Sequence, residues 1–230
     1  MSKYKYLLFD ADNTLFDFDR CEREAVKLAL DGSSVCFSDG VYDAYHKIND
    51  DLWKALERGE IERDVLKVER FRLLFEKYGV KGDEYRRVAS LYEKRLAEQS
   101  FEIEGVNELL GRIARDYSIY VITNGLTSVQ RGRFQRSRLS EYFTSVFISE
   151  EIGVAKPSRE FFDHALSFIG DPDRSKYLVI GDSLTSDIDG AINSGIECCW
   201  YNRYGADPAG RCPDYIAADI GQIEMVITNG

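Results

Sequence analysis

The pattern of apolar and polar positions divides the chain into a helical middle and two flanking parts of a different kind. Residues 4–9 form a short and nearly continuous apolar run, which is typical of a strand buried on both faces of a parallel sheet. The run ends in the polar stretch 10–14, where Asp and Asn favour a turn. The sequence therefore predicts a buried first strand that leads directly into a polar loop.

The segment from about residue 20 to residue 100 has helical spacing and no strand pattern. Apolar side chains recur every three or four positions in the segments 41–56, 61–75 and 88–96. Glycines at 32, 59, 79 and 82 separate these segments as helix ends or turns. We predict an all-helical insert over residues 17–100, within the size range of a small domain.

Strands and helices alternate after Gly105. The apolar runs predict strands at 118–122, 145–149, 177–180 and 198–201, with a short one at 215–217. Pro157 is expected in the first turn of one intervening helix, since proline is well tolerated there. This alternation predicts a Rossmann-like α/β core with a parallel sheet, built from residues 1–16 and 101–230.

Composition narrows the class of protein. The chain has 230 residues, 44% of them apolar, and 30 basic against 40 acidic side chains give a net charge of −10. A chain this apolar can form a core, so general disorder is excluded, and its acidity argues against a nucleic-acid binder. No apolar run is long enough for a membrane span or a signal peptide. The five cysteines include no C-x-x-C pair, which predicts a reducing, cytoplasmic compartment.

Polar side chains follow four of the predicted strands. They are Asp10 and Asp12 after the first strand, Thr123 and Asn124 after the second, Lys156 after the third, and Asp182 with Asp187 after the fourth. Because open α/β sheets bind ligands at the carboxyl ends of their strands, we expect these residues at one edge of the sheet.

These residue types suit phosphoryl transfer. A carboxylate nucleophile can form an acyl phosphate, and a second carboxyl group can protonate the leaving oxygen and then activate water. Several carboxylates together suit Mg²⁺, which prefers oxygen ligands and allows a phosphorylated substrate despite the acidic chain. A threonine hydroxyl, backbone N–H groups and a lysine can stabilise the phosphoryl oxygens.

The same residues resemble the four motifs of the haloacid dehalogenase-like (HAD) hydrolase superfamily: D-A-D-N-T at 10–14, Thr123, K-P at 156–157, and G-D with a later Asp at 181–187. The resemblance covers residues 4–16 and 100–218, and the helical insert looks like the C1-type cap of that superfamily. The stretches 149–157, 181–188, 192–196 and 199–202 resemble the branch that contains pyrimidine-type nucleoside 5′-monophosphatases.

The resemblance implies a role for each residue. Asp10 would be the nucleophile and Asp12 the acid and base. Asp10, the Asp12 carbonyl and Asp182 would hold Mg²⁺, with Asp187 at the edge of the metal site. Thr123 and the Asn124 backbone would bind phosphate, and Lys156 would bridge Asp10 and the phosphoryl group.

Asp12 favours phosphate chemistry over dehalogenation. The dehalogenating members of the superfamily that this chain resembles lack an acid two residues after the nucleophile, because a departing halide needs no proton. The preferred prediction is an Mg²⁺-dependent nucleoside 5′-monophosphate phosphohydrolase, monomeric or homodimeric, with a small phosphorylated metabolite as its partner and neither nucleic acid nor membrane. The alternatives are a sugar phosphate or phosphoglycolate phosphatase, a phosphomutase, and a non-catalytic binding protein.

Several positions keep a structural alternative. Thr123 with its neighbours could cap a helix, and Asp187 could cap the helix that follows it. Asn13 stands where the superfamily often has glycine, and asparagine tolerates a left-handed backbone conformation there. Phe16 or Phe18 is hypothesised to line the substrate pocket.

Overall fold

The computed structural model describes residues 2–230 of the chain. They form two compact units. The first, here called the core unit, comprises the chain up to Phe18 together with Ser100–Gly230, and the second, the helical unit, is Asp19–Gln99. Within residues 2–230 no helix combines the length and apolar character that a bilayer crossing requires.

Four helices build the helical unit: α1 (Phe18–Leu30), α2 (Asp39–Glu57), α3 (Arg63–Lys77) and α4 (Glu84–Ala97). Their buried faces follow the helical spacing of apolar residues, and the Ser38 hydroxyl begins α2 by accepting a hydrogen bond from the Val41 N–H. The sequence predicted three of these helices but not α1. Its buried stripe consists largely of small side chains such as Cys21, Ala25 and Ala29, which give a weak hydrophobic signal.

A buried carboxylate joins α1 to α2. Glu22 is fully buried and accepts hydrogen bonds from the Tyr42 hydroxyl at 3.2 Å and from the Asn49 amide at 2.9 Å. His46 Nδ1 lies 2.7 Å from the same carboxylate. The hydrogen bond to Glu22 raises the pKa of His46 to about 9, while burial raises the pKa of Glu22. His46 is therefore a charged partner of Glu22 at neutral pH.

Six strands form a parallel sheet in the core unit, within the described part of the chain. They are β1 (Tyr6–Asp10), β2 (Ser118–Thr123), β3 (Phe143–Ile148), β4 (Tyr177–Gly181), β5 (Glu197–Tyr201) and β6 (Tyr215–Ala217). Their order is β3-β2-β1-β4-β5-β6, and every adjacent pair is parallel. This confirms the predicted α/β fold, and the order of connections reverses between β1 and β4, where such sheets bind ligands.

Helices cover both faces of the sheet. They are α5 (Val106–Ile113), α6 (Thr127–Arg136), α7 (Ser149–Ile152), α8 (Arg159–Ile169), α9 (Asp189–Ser194) and α10 (Ile220–Asn229). Successive residues of β1 point to opposite faces: Leu7 and Phe9 pack with α5 and α10, whereas Leu8 packs with α8 and α9. Burial of each such side chain stabilises the fold by about 1.5–3 kcal/mol.

The prediction that Pro157 opens a helix is wrong. Helix α8 begins at Arg159, and Ser158 is its N-cap, with its hydroxyl accepting a hydrogen bond from the Glu160 N–H at 3.2 Å. A serine hydroxyl satisfies one of the free N–H groups of a first helical turn, which proline cannot do. Pro157 therefore lies in the loop between α7 and α8, directly after Lys156.

Candidate active site

Lys156 and two carboxylates form a buried ion cluster at the carboxyl end of β1. The Lys156 ammonium lies 2.6 Å from Asp10 Oδ1 and 2.6 Å from Asp187 Oδ1, and it also donates to the Ile122 carbonyl at 3.0 Å. All three of its donors are thus engaged. Lys156 is only 2% exposed, so water screens its charge very little.

Burial and the neighbouring opposite charges shift the pKa values of Lys156 and Asp10 in opposite directions. Burial lowers the pKa of Lys156, but the charges of Asp10 and Asp187 outweigh that effect and raise it above its ordinary value. Burial raises the pKa of Asp10 well above the usual range, and the Lys156 charge only partly offsets the rise. Removal of the ammonium would therefore leave two like charges uncompensated in a buried place.

Asp187 is held by a single π-helical turn over Leu184–Ile188. Its second oxygen, Oδ2, accepts a hydrogen bond from the Ser183 N–H at 3.1 Å. A Cβ on Gly181 would lie 2.3 Å from that oxygen, so the close approach of Asp187 to the end of β4 requires glycine at this position. The alternative that Asp187 caps α9 is wrong, because both of its oxygens bond elsewhere.

Three carboxylates converge at this edge of the sheet. Each of Asp10, Asp182 and Asp187 offers one oxygen, and these three atoms lie within 4.8 Å of one another. Burial, and next the charge of Asp187, raise the pKa of Asp182 to about 8. Oxygen donors that repel one another in a buried place suit a hard divalent cation such as Mg²⁺, whose charge would offset that repulsion.

Thr123 is the last residue of β2, and Asn124, which follows it, lies beside the loop of Lys156. The Thr123 hydroxyl accepts a hydrogen bond from the Gly125 N–H at 3.0 Å. Helix α6 has Leu126 as its N-cap residue, so the alternative that Thr123 caps this helix is wrong. The Asn124 amide donates to the Lys156 carbonyl at 2.8 Å and accepts from the Lys156 N–H at 3.0 Å. Asn124 therefore ties the end of β2 to the lysine loop through its side chain, a contact that the sequence did not predict.

Asp12 is not one of the three converging carboxylates, and its side chain bonds to α6. Arg133 donates to Asp12 Oδ1, and Gln130 donates to Asp12 Oδ2 at 2.7 Å. The sequence did not predict a role for either residue, because both lie in a polar segment between two predicted strands. The signal available in the sequence was their spacing, because two side chains three residues apart lie on the same face of a helix. In the structure both are buried.

The first loop is fixed by Asn13. Its φ of 57° is left-handed, as expected for an asparagine at this position, and its side-chain oxygen accepts a hydrogen bond from the Phe18 N–H at 3.0 Å. Phe16 is fully buried and packs against Phe134 at 5.1 Å between ring centroids. The Phe16 ring therefore belongs to the core. Of the two residues hypothesised to line the substrate pocket, only Phe18 stays a prediction.

The similarities of the chain to known proteins agree with this geometry. A family model described as haloacid dehalogenase-like hydrolase matches residues 4–195. The chain belongs to this family.

Two curated relatives and one solved structure extend the similarity. The chain is 41% identical over 202 residues to the pyrimidine 5′-nucleotidase PynA of Streptococcus pneumoniae, an alignment of 87% of this chain and 85% of PynA. It is 35% identical over 226 residues to the pyrimidine 5′-nucleotidase YjjG of Escherichia coli, over 98% of both chains. The magnesium-bound crystal structure of the HAD-hydrolase YfnB from Bacillus subtilis superimposes with a TM-score of 0.91, 30% identity, and coverage of 97% of this chain and 98% of YfnB.

Proposed function

We propose that this protein is an Mg²⁺-dependent phosphomonoester hydrolase that acts on nucleoside 5′-monophosphates through an aspartyl phosphate on Asp10. The observation that carries the proposal is the buried contact of 2.6 Å between the Lys156 ammonium and Asp10 Oδ1. It supports a nucleophile whose second oxygen, Oδ2, attacks while a fixed positive charge offsets the negative charge that develops on the phosphoryl group.

The first step transfers the phosphoryl group to the protein. Asp10 attacks phosphorus, the bond from phosphorus to the ester oxygen breaks, and Asp12 gives its proton to that departing oxygen. The alcohol product then leaves. Thr123 and the Asn124 backbone N–H are the proposed donors to the phosphoryl oxygens, next to Lys156.

The second step releases phosphate. Water attacks phosphorus and passes its proton to Asp12, the bond from phosphorus to Asp10 breaks, and inorganic phosphate leaves. Asp12 is then protonated and Asp10 is free, so both groups return to their starting forms. One carboxylic acid thus serves as acid in the first step and as base in the second.

The proposed ligands of Mg²⁺ are Asp10, the Asp12 carbonyl and Asp182, with Asp187 at the edge of the site. A bound Mg²⁺ would supply Lewis-acid stabilisation of the phosphoryl oxygens. The support from this chain is the group of three carboxylate oxygens within 4.8 Å of one another, and YfnB was crystallised with magnesium.

The proposed substrate class rests on the relatives. PynA and YjjG are named as pyrimidine 5′-nucleotidases and cover most of the chain. We extend this to a pyrimidine preference for this protein and assign substrate selectivity to the helical unit as its cap. A cytoplasmic location and a monomeric or homodimeric state stay predictions.

Phosphate release from a panel of phosphomonoesters tests the proposal. The panel contains pyrimidine and purine 5′-nucleotides, phosphoglycolate and hexose phosphates, each with Mg²⁺ or with a chelator. We expect release from the nucleotides, loss of release with chelator, and loss in Asp10→Asn. Asp116→Asn, a change of the same kind at an exposed position, is the matched control.

The other outcomes separate the alternative functions. Release from hexose phosphates or phosphoglycolate alone would keep the chemistry and contradict the nucleotide substrate. Formation of an isomeric sugar phosphate without free phosphate would indicate a phosphomutase. Absence of turnover on the whole panel would contradict the proposed function and favour a binding protein.

A further inference from the structure

Helix α6 holds both oxygens of the Asp12 carboxylate. Arg133 donates to Oδ1 and Gln130 donates to Oδ2 at 2.7 Å. The Arg133 side chain is 0% exposed, whereas the Asp12 side chain is 27% exposed. One side of the carboxylate is therefore fixed by the helix while part of the group still reaches solvent. We call Gln130 and Arg133 the Asp12 clasp.

The clasp is itself rigidly supported. The Arg133 guanidinium lies 4.4 Å from the centroid of the Phe16 ring, and Phe16 packs against Phe134, the next residue of α6. A guanidinium that is stacked on a ring and bonded to a carboxylate loses most of its rotamer freedom. The orientation of the Asp12 carboxylate therefore depends on where α6 holds Arg133.

The absence of a side chain at Gly125 leaves the space that the Gln130 amide occupies. A Cβ on Gly125 would lie 2.3 Å from Gln130 Nε2, so any larger residue would displace this amide. The same nitrogen lies 3.2 Å from the Thr123 hydroxyl, and the amide oxygen is buried without a hydrogen-bond partner among residues 2–230. Gln130 therefore joins the proposed phosphate-binding threonine to Asp12.

These contacts leave Asp12 able to exchange a proton. Each carboxylate oxygen has two lone-pair directions, and the clasp uses one on each oxygen. A fixed carboxyl group transfers a proton far more effectively than a mobile one, because proton transfer requires hydrogen-bond geometry with the reacting oxygen. The contacts with Arg133 and Gln130 remove the rotations of Asp12 that would spoil this geometry.

We propose that Gln130 and Arg133 are positioning residues that hold the Asp12 carboxyl in the orientation needed for both proton transfers. The proposal rests on the proposed function, in which Asp12 protonates the leaving oxygen and later takes a proton from water. Neither residue exchanges a proton itself. No bond to phosphorus forms or breaks at the clasp.

The effect of clasp variants on kcat/KM, compared between two substrates with different leaving groups, tests the proposal. A nucleoside 5′-monophosphate leaves as an alcohol and needs the proton of Asp12, whereas p-nitrophenyl phosphate leaves as a stable phenolate and does not. We expect Arg133→Met and Gln130→Met to lower kcat/KM for the nucleotide by roughly 10²-fold, within the range of general acid catalysis. The value for p-nitrophenyl phosphate should change by less than about threefold, because its departure does not use the acid.

A second readout follows the second step. Water must still lose a proton to Asp12 whichever group has left, so both variants should accumulate the aspartyl phosphate. A burst of p-nitrophenolate, equal to the enzyme concentration, would precede the slow steady state. Arg133→Lys keeps a positive charge without the planar fork and should recover only part of the nucleotide activity.

Controls on the same helix isolate the effect. Gln135 and Arg136 are exposed on α6, and Gln135→Met and Arg136→Met should leave both substrates unaffected. Equal losses on both substrates in the clasp variants would overturn the proposal, since they would mean a general collapse of the site. So would unchanged nucleotide activity. If Arg133→Met does not fold, the Gln130→Met variant alone decides.

A failure of the proposed function would give a different experimental result from a failure of the clasp proposal. A wild-type protein that hydrolyses other alkyl phosphomonoesters but no nucleotide would contradict the substrate class. The clasp would then be judged by the same comparison, with that alkyl ester in place of the nucleotide.

Discussion

Asn124 and Lys156 hold each other through two hydrogen bonds that run in opposite directions. The Asn124 amide donates to the Lys156 carbonyl at 2.8 Å, and the Lys156 N–H donates to the Asn124 side-chain oxygen at 3.0 Å. The pair fixes the lysine backbone relative to the end of β2. The Lys156 ammonium, at the end of the side chain, then lies between Asp10 and Asp187.

Asn124→Ala should lower kcat/KM by roughly 10²-fold, because a shift of about 1 Å at a reacting group costs a factor of this order. The loss should be smaller than that of Lys156→Ala, which removes the charge itself. Steady-state kinetics on the best substrate of the panel measures both variants.

Asn202 provides a matched control for this variant. It makes the same reciprocal pair of hydrogen bonds with Ala206 in a loop after β5, at 2.9 and 2.8 Å. Asn202→Ala should therefore leave kcat/KM unchanged. Equal losses in the two asparagine variants would contradict a specific role for Asn124 in placing Lys156.

Gly181→Ala should lower activity because the added methyl group would displace the Asp187 carboxylate. The new Cβ would lie 2.3 Å from Asp187 Oδ2, so either the carboxylate or the end of β4 must move. We expect kcat to fall by at least roughly 10²-fold, together with a lower melting temperature. Gly40→Ala is the control, since a Cβ there meets no atom of residues 2–230 within 4 Å apart from its chain neighbours and the backbone of its own helix. Normal activity in Gly181→Ala would contradict the inferred crowding.

Mg²⁺ should stabilise the folded protein. A ligand that binds only the folded state adds about 2.7 kcal/mol when its concentration is 100 times its Kd, which raises the melting temperature of a chain this long by roughly 5–10 °C. Asp182→Asn should reduce that rise, whereas Asp116→Asn should keep it. Thermal melting with increasing Mg²⁺ measures the effect, and an unchanged rise in Asp182→Asn would contradict its role as a ligand.

The His46–Glu22 pair should make stability depend on pH. The pKa of His46 in the folded protein is about 9, above the value of about 6.5 expected in the unfolded chain. Its contribution is therefore fully present below pH 6.5 and is lost as the pH rises through 9. Asp19 and Asp50 also face His46 and act in the same direction.

The melting temperature of wild type should exceed that of His46→Gln at pH 6, and the difference should vanish by about pH 10. The same substitution in a Glu22→Gln background tests the partner, because the effect of His46 should then be much reduced. A difference that does not change with pH would contradict the pairing.

The sequence predicted those parts of the site that lie at strand ends. Asp10, Thr123 and Asp182 follow apolar runs, and a parallel sheet brings the ends of its strands to one edge. That rule needs only the order of the elements, so it worked without any knowledge of packing. The structure then adds the partners of each residue, while the chemical roles stay predictions.

The rule that strand ends meet at one edge of the sheet could predict neither the Asp12 clasp nor helix α1. Asp12 and Arg133 are 121 positions apart, and their contact depends on how α6 packs beside the first loop. No periodic pattern encodes such a pairing of two polar residues. The small side chains of α1 likewise carry too little apolar signal, although they allow that helix to pack closely.

The central place of β1 has a consequence for the synthesis of the chain. Its partners are β2 and β4, which begin at Ser118 and Tyr177. At translation rates of about 5–20 residues per second, the apolar residues Leu7, Leu8 and Phe9 wait roughly ten to thirty seconds for their second neighbour. The four helices of the insert have all been synthesised by then, so β1 still lacks a neighbour on one side when the whole insert is already complete.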